Sequence, residues 1–372
     1  MEKKRKHKKK PLLTALCIVF FLLSLLCIFG AHYISLVLDS QYEYKRWKGE
    51  GELDFSQISC FLPDSGRISL KEVYAFRTDM MNAFAEASID TSDGNRFIDC
   101  WSCSGSTKIY GERNDGTASV TAVGGAFFSF HPLKLVGGNY LFEGDLMQDN
   151  ILLDEDLAWL LFGGNDLEGM TVYMYGVPFR IAGVVARESD FASRKAYTGG
   201  LGLYMSYDAY VDLNRPQEGD EEQNTAPDTG ISCYEVCIPN PVKGFAKNLA
   251  DTKFPIGTGE IIENSGRFDF WKVMGIAKNF AARSIQSGVP YPYWENAARY
   301  VETEKAILLC LAIIFALLPE FSFLFYLFLN MHWTKRMLEE EYFPVWAENA
   351  EETIRIVERK RWEKKQNYTA KH

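Results

Sequence analysis

Histidine is scarce in this chain. Five occur in 372 residues, and only His131 lies in the middle of the sequence. A Ser–His–Asp triad would have to use that one ring, and no G-x-S-x-G elbow accompanies it. Followed by Pro132 among aromatics, His131 reads as a packed or capping residue rather than a base. Also missing are an H-E-x-x-H helix, a paired C-x-x-C arrangement and a G-x-x-x-x-G-K-[ST] loop to cradle phosphates. The expectation is therefore no catalytic residue, no bound metal and no cofactor. Basic clusters are absent from residues 39–304, which carry 39 acidic and 23 basic residues, a net charge of −16. That sign argues against nucleic acid as a partner. There are no internal repeats of solenoid length.

What the chain does have is hydrophobicity gathered into two blocks. Its overall 47% hydrophobic and 24% charged content looks like that of a soluble protein, but the apolar residues are concentrated. Residues 12–38 contain no Asp, Glu, Lys or Arg, and residues 306–331 are interrupted only by Pro319 and Glu320 among apolar and small polar positions. About 20 apolar helical residues cross a hydrocarbon core, so both blocks are long enough. Neither shows the polar stripe of a buried soluble helix. We assign residues 11–38 and 305–332 as transmembrane helices, with the lipid bilayer as a partner.

Orientation follows from the flanks. Lys3, Lys4, Arg5 and Lys6 precede the first block, and Lys335, Arg336 and Arg355 follow the second. Basic flanks stay inside. Residues 1–10 are then a cytoplasmic basic N-terminus, residues 333–372 a partly helical cytoplasmic tail, and residues 39–304 an extracytoplasmic domain of a bacterial-type cell membrane. A cleaved signal peptide is the competing account of the first block. Its apolar stretch exceeds the usual h-region, and Gly30-Ala31 matches a cleavage site poorly, so an uncleaved anchor is favoured.

The middle segment reads as one α+β domain. Ile151-Leu152-Leu153 is a short strand, after which Asp154 stands at an N-cap with Glu155 and Asp156 in the first turn. Leu157, Trp159, Leu160 and Leu161 continue that helix, and Gly163-Gly164 stop it. A hairpin follows, with strands at 171–175 and 178–185 around a Gly176-Val177 turn. Helices are predicted over 70–88, from Val73, Phe76, Met80 and Phe84, and over 268–287. Residues 118–123 read as a strand and 214–230 as an exposed loop. The run Tyr291-Pro292-Tyr293-Trp294 is expected to form an aromatic belt at the membrane surface. A tail helix is predicted over 350–365, with acids first and bases last.

The block 120–185 resembles the extracytoplasmic core domain of MacB-type ABC-transporter permeases, the superfamily that includes FtsX and LolC/LolE. The residues that carry the likeness are Thr121 to Phe128 (TAVGGAFF), Leu133 to Gly138 (LKLVGG), Ile151 to Ala158 (ILLDEDLA), Leu161 to Gly164 (LFGG), Gly169 to Val172 (GMTV) and Pro178 to Val185 (PFRIAGVV). The resemblance implies a permease-like subunit that works with a separate cytoplasmic ABC ATPase, in export or in mechanotransmission. It also implies a departure, because such permeases carry three spans after the core domain and one is seen here. The chain then pairs with a fuller permease, or with itself as a dimer, or uses its domain as a membrane-anchored sensor or scaffold.

Three groups of residues stand out as candidate sites. Glu320, beside Pro319, lies beyond the midplane of its span, where an acid is costly unless partnered. It reads either as a contact to another chain or as a group reaching the cytoplasmic interface past a proline kink. Asp190, Phe191, Arg194, Lys195 and Tyr197 lie on a segment after the hairpin that reads either as a partner loop or as an ordinary packed connection. Cys100 and Cys103 have C-x-x-C spacing, but Ser104-Gly105-Ser106-Thr107 reads as a turn and not as a helix start. They are either a local disulfide or free thiols.

Overall fold

The computed structural model describes residues 3–89, 97–142, 144–197, 201–215, 229–278, 290–337, 340 and 342–369. The chain divides into two units, Gly30–Leu308, and Met1–Phe29 with Leu309–His372.

The larger unit is built on a ten-stranded mixed sheet. Its strands are β1 (Phe55–Phe61), β2 (Ile98–Tyr110), β3 (Asp115–Gly125), β4 (Lys134–Gly138), β5 (Asn150–Asp154), β6 (Thr171–Met174), β7 (Val177–Ala186), β8 (Gly202–Ser206), β9 (Cys233–Pro239) and β10 (Glu260–Glu263). They lie in the order β10-β1-β9-β2-β3-β8-β5-β7-β4, with β6 pairing β2 and β7. Among the described residues only β3–β8 and β5–β7 run parallel. The long β2–β3 hairpin is in register from Cys100↔Gly125 to Tyr110↔Asp115.

Both faces of the sheet are covered. On the first face, α3 (Leu70–Glu86) sets down Val73, Phe76, Met80 and Phe84, and α8 (Phe245–Lys253) sets down Ala246, Leu249 and Ala250. Further along, α5 (Glu155–Leu161) and α7 (Tyr207–Leu213) cover the same core with Leu157, Leu161 and Tyr210. Alternation along β9 divides its side chains: Tyr234, Val236 and Ile238 join this core, while Cys233 and Cys237 join the opposite one. That second core contains Phe61, Cys100, Phe127, Phe130, Tyr204 and Trp294, and Tyr44 and Trp47 of α2 (Glu43–Lys48) pack against it. Phe127 and Phe130 come from α4 (Phe127–Phe130), a single turn after β3.

Local signals explain the helix starts. Ser69 and Glu72 form a reciprocal capping box at α3. Asp154 accepts a bond from the Leu157 amide at 2.7 Å, which satisfies one of the donors left open at a helix start. The β6–β7 turn falls on Tyr175-Gly176, one residue earlier than the sequence suggests. Both have positive φ, 49° and 81°, the pairing that matches the twist of a two-residue hairpin.

Two expectations are corrected. Residues 104–107 are not a turn but the interior of β2, and Cys100 and Cys103 stand on opposite faces of that strand in different cores. Neither is joined in a disulfide. Trp294 is not a belt residue, since it is buried against His131 and Phe127 inside the domain. The helix expected over 268–287 is described as α9 (Phe270–Lys278); residues 279–287 lie outside the described residues, as does most of the loop expected over 214–230.

Two helices, each with residues in both units, supply stretches long and apolar enough to cross a membrane. These are Leu13–Ser35, within α1 (Lys3–Ser35), and Tyr293–Phe328, within α10 (Tyr293–Met337). Inside the smaller unit Ser24 donates its hydroxyl to the Ala312 carbonyl at 2.9 Å, and Phe20 meets Phe315 edge-on at 5.7 Å. The apolar side chains of Leu26, Phe29, Phe321 and Phe325 face outward, as lipid contact requires. Pro319 lies within the uninterrupted α10. A last helix, α11, spans Phe343–Thr369.

Candidate functional site

A buried polar cluster forms around Arg267, where the segment after α1 meets the start of α10. Arg267 is 3% exposed. Its Nη1 donates to Glu295 Oε2 at 2.8 Å and to Gln41 Oε1 at 2.9 Å. Its Nη2 donates to Glu295 Oε1 at 3.0 Å, and its Nε donates to Glu302 Oε1 at 2.9 Å. Gln41 follows α1, while Glu295 and Glu302 stand seven apart in the first turns of α10, on one face. Arg299 extends the chain of charges, with bonds of 2.7 Å to both Glu295 and Glu260 of β10. Burial alone would favour loss of the Arg267 proton, but the carboxylates of Glu295 and Glu302 outweigh it and hold the guanidinium above its ordinary range.

Around this cluster β1 is fastened to the same segment. Gln57 accepts from the Glu43 amide at 3.1 Å and donates to the Ser40 carbonyl at 2.7 Å. An apolar patch of Leu38, Phe268, Ala297, Ala298 and Val301 completes the junction. The segment after the first span and the start of α10 are therefore fastened into the domain by paired charges, by side-chain amides and by packing.

The residues singled out after the hairpin meet this junction. Asp190 caps α6 (Phe191–Ala196) by accepting from the amides of Ala192 and Ser193, both at 2.9 Å. Phe191 packs on Tyr300 of α10 at 5.9 Å, and Lys195 Nζ donates to the Tyr300 hydroxyl at 2.5 Å. Tyr197 stacks on Tyr293 at 4.2 Å, while Arg194 points outward. Tyr197 and Arg187 help line a cavity of about 260 Å³ beside Tyr204 and Trp294. Burial raises the Glu188 carboxyl next to it, against an opposing effect of His131. Glu320 is exposed in its unit, and Ser24 of the first apolar helix is bonded to the Ala312 carbonyl.

A second polar group lies within the core that holds Trp294. The His131 ring is 1% exposed, between Phe127 and Trp294, with centroids 4.5 and 4.3 Å away. Its Nε2 lies 2.5 Å from Glu235 Oε2, and Glu235 Oε1 accepts from Ser59 at 2.7 Å. Cys100 stands opposite Glu235 in the β2–β9 register, and burial, with Glu235 adding to it, pushes that thiol well up. Donor atoms of Cys100, His131 and Glu235 lie within 4.8 Å of one another.

Neither cluster is evident from local motifs. Arg267 meets Gln41 across 226 residues and His131 meets Glu235 across 104. One signal does exist: Glu295, Arg299 and Glu302 recur at helical spacing just before an apolar run, a polar stripe that calls for a buried base.

An α+β domain set between two apolar helices defines the class, a membrane-anchored protein with a large extracytoplasmic segment. Residues 71–230 match the family model of the MacB-like periplasmic core domain. The matched residues lie, in the sequence, between the two apolar helices. Among solved structures it is similar to the periplasmic region of MacB from Actinobacillus actinomycetemcomitans, at 18% identity and a TM-score of 0.39, covering 62% of this chain and 94% of that one. It is also similar to the extracellular domain of the noncanonic ABC-type transporter YknZ from Gram-positive bacteria, at 14% identity and a TM-score of 0.33, covering 56% of this chain and 100% of that one. No curated protein matches.

Proposed function

We propose that this chain is a permease-like subunit of an ABC transporter complex, in which a separate cytoplasmic ATPase drives movement of the extracytoplasmic domain. Both termini are then cytoplasmic and residues 39–304 lie outside. The observation that carries this reading is the Arg267 cluster. A module that only binds a ligand can hang from its anchor on a pliable linker. Here Gln41 after α1 and Glu295 and Glu302 at the start of α10 share the buried Arg267, so the domain holds both chain segments that continue into the apolar helices. The reading gives the chain no catalytic step, and it makes Glu320 a contact to a neighbouring membrane subunit, either a fuller permease or a second copy. Against a sensor or scaffold stands the buried hydrogen-bonded cluster at Arg267.

Co-purification of the tagged full-length chain from native membranes in mild detergent tests the proposal. Stoichiometric recovery of an ABC ATPase is expected. Repeated recovery without one, under conditions that keep a known ABC complex intact, would leave the domain as a sensor or scaffold.

A further inference from the structure

We propose that Cys100, His131 and Glu235 form a binding site for a zinc ion in the core beneath the start of α10. The three side chains come from β2, the segment after α4, and β9, so no local motif announces them. Their donor atoms lie within 4.8 Å of one another, and all three residues are at most 2% exposed. Sulfur, imidazole nitrogen and carboxylate oxygen together suit zinc. Calcium and magnesium prefer oxygen alone, and copper(I) prefers soft sulfur. One thiolate, one carboxylate and a neutral ring would balance a divalent cation, leaving a neutral assembly in a dry interior, where unbalanced charge is costly.

A second observation concerns the ring itself. His131 Nε2 meets Glu235, while Nδ1 is buried with no partner among the described residues. Zinc-binding histidines commonly use one nitrogen for the metal and keep a carboxylate or carbonyl on the other. In His131 the Nε2 that meets Glu235 faces the other donors, which leaves the uncommitted Nδ1 for that second role. On binding the ion, Nε2 and Glu235 would exchange their mutual hydrogen bond for bonds to zinc, beside the Cys100 thiolate. Because His131 also lies against Trp294, the ion would brace the root of α10 against the sheet. Coordination requires the Cys100 proton to leave, since the thiolate is the ligand.

The test uses the full-length chain, purified in mild detergent without a polyhistidine tag. About one zinc per chain is expected by elemental analysis. Chelation should lower the melting temperature, and Zn2+ should restore it. Cys100→Ser and His131→Gln should reduce bound zinc at least about tenfold, while Cys103→Ser, on the other face of β2, should retain it. Loaded with Co2+, the wild type should show a thiolate-to-cobalt charge-transfer band that Cys100→Ser lacks. Near-ultraviolet circular dichroism checks folding; should Cys100→Ser fail to fold, His131→Gln and the wild-type cobalt spectrum carry the test. Zinc below about a tenth of an equivalent in the wild type would overturn the proposal and leave a metal-free His131–Glu235 pair. So would a cobalt band that persists in folded Cys100→Ser, or zinc that none of the substitutions displaces.

Discussion

Replacing Arg267 with methionine keeps most of the side-chain volume and removes its charge. Glu295 and Glu302, 1% and 5% exposed, would then lose their common cation inside the domain. Breaking a buried pair by removing one partner costs about 3–5 kcal/mol, because the remaining charge has no water to turn to. Arg299 still reaches Glu295 at 2.7 Å, which places the expected loss toward the lower half of that range. At about 1.4 kcal/mol per decade, even 3 kcal/mol multiplies the unfolded fraction more than a hundredfold. The assay is urea unfolding of the full chain in micelles, followed by tryptophan fluorescence, to which the buried Trp294 contributes. Arg267 is held charged above its ordinary range, so its contribution disappears only as pH rises through that raised value; the loss on substitution should be the same at pH 6 and pH 8. Adding Glu295→Gln to Arg267→Met should cost less than the sum of the single changes by more than about 0.5 kcal/mol, since the residues are in contact. A single-site loss below about 1 kcal/mol, or simple additivity, would refute the view that this cluster holds the junction.

Glu188 has its carboxyl raised by burial from an ordinary 4.5, so folding resists its ionisation. Stability should fall as pH rises from 4.5 through the raised value, and Glu188→Gln should reduce that slope in melting curves recorded from pH 4 to 8, leaving the part due to Glu43, which burial also raises. Asp154→Ala removes a helix cap and the acceptor of bonds from Arg187 and the Gly202 amide, for an expected loss of about 2–4 kcal/mol in the same unfolding assay. Gly125→Ala would place a methyl group 2.6 Å from the Asp99 carbonyl at a φ of +63°, and should lower the melting temperature by several degrees. Ser24→Ala deletes one bond between the spans, for a loss of about 0.6 kcal/mol in a helix-association assay.

What could be read from sequence was whatever neighbouring residues decide. The spacing of Val73, Phe76, Met80 and Phe84 announces α3, and Asp154 announces α5, because helical faces and caps are written within one or two turns. The segment 104–107 misled because Ser, Gly and Thr are turn residues, yet Gly105 is there to clear the Tyr210 ring that crosses β2. Trp294 misled in the same way. Aromatics beside an apolar helix suit a membrane surface, and only the fold shows that the sheet claims this one first. The two polar clusters were illegible for a simpler reason, since their members are brought together by strand order alone.

Strand order also governs how the domain can be made. β1 lies between β9 and β10, so Ser59 waits for Glu235, 176 residues later in the chain. During synthesis the first strand is finished long before either neighbour exists, and it must stay unpaired while the rest of the domain crosses the membrane. Non-local pairings of this kind close slowly and leave strand edges open to wrong partners. Arg267 and the acids of α10 come later still, so the junction can close only when the second apolar helix has begun to emerge. A chain halted before that helix would hold a sheet without its final fastening, and quality control at the membrane surface would meet it in that state.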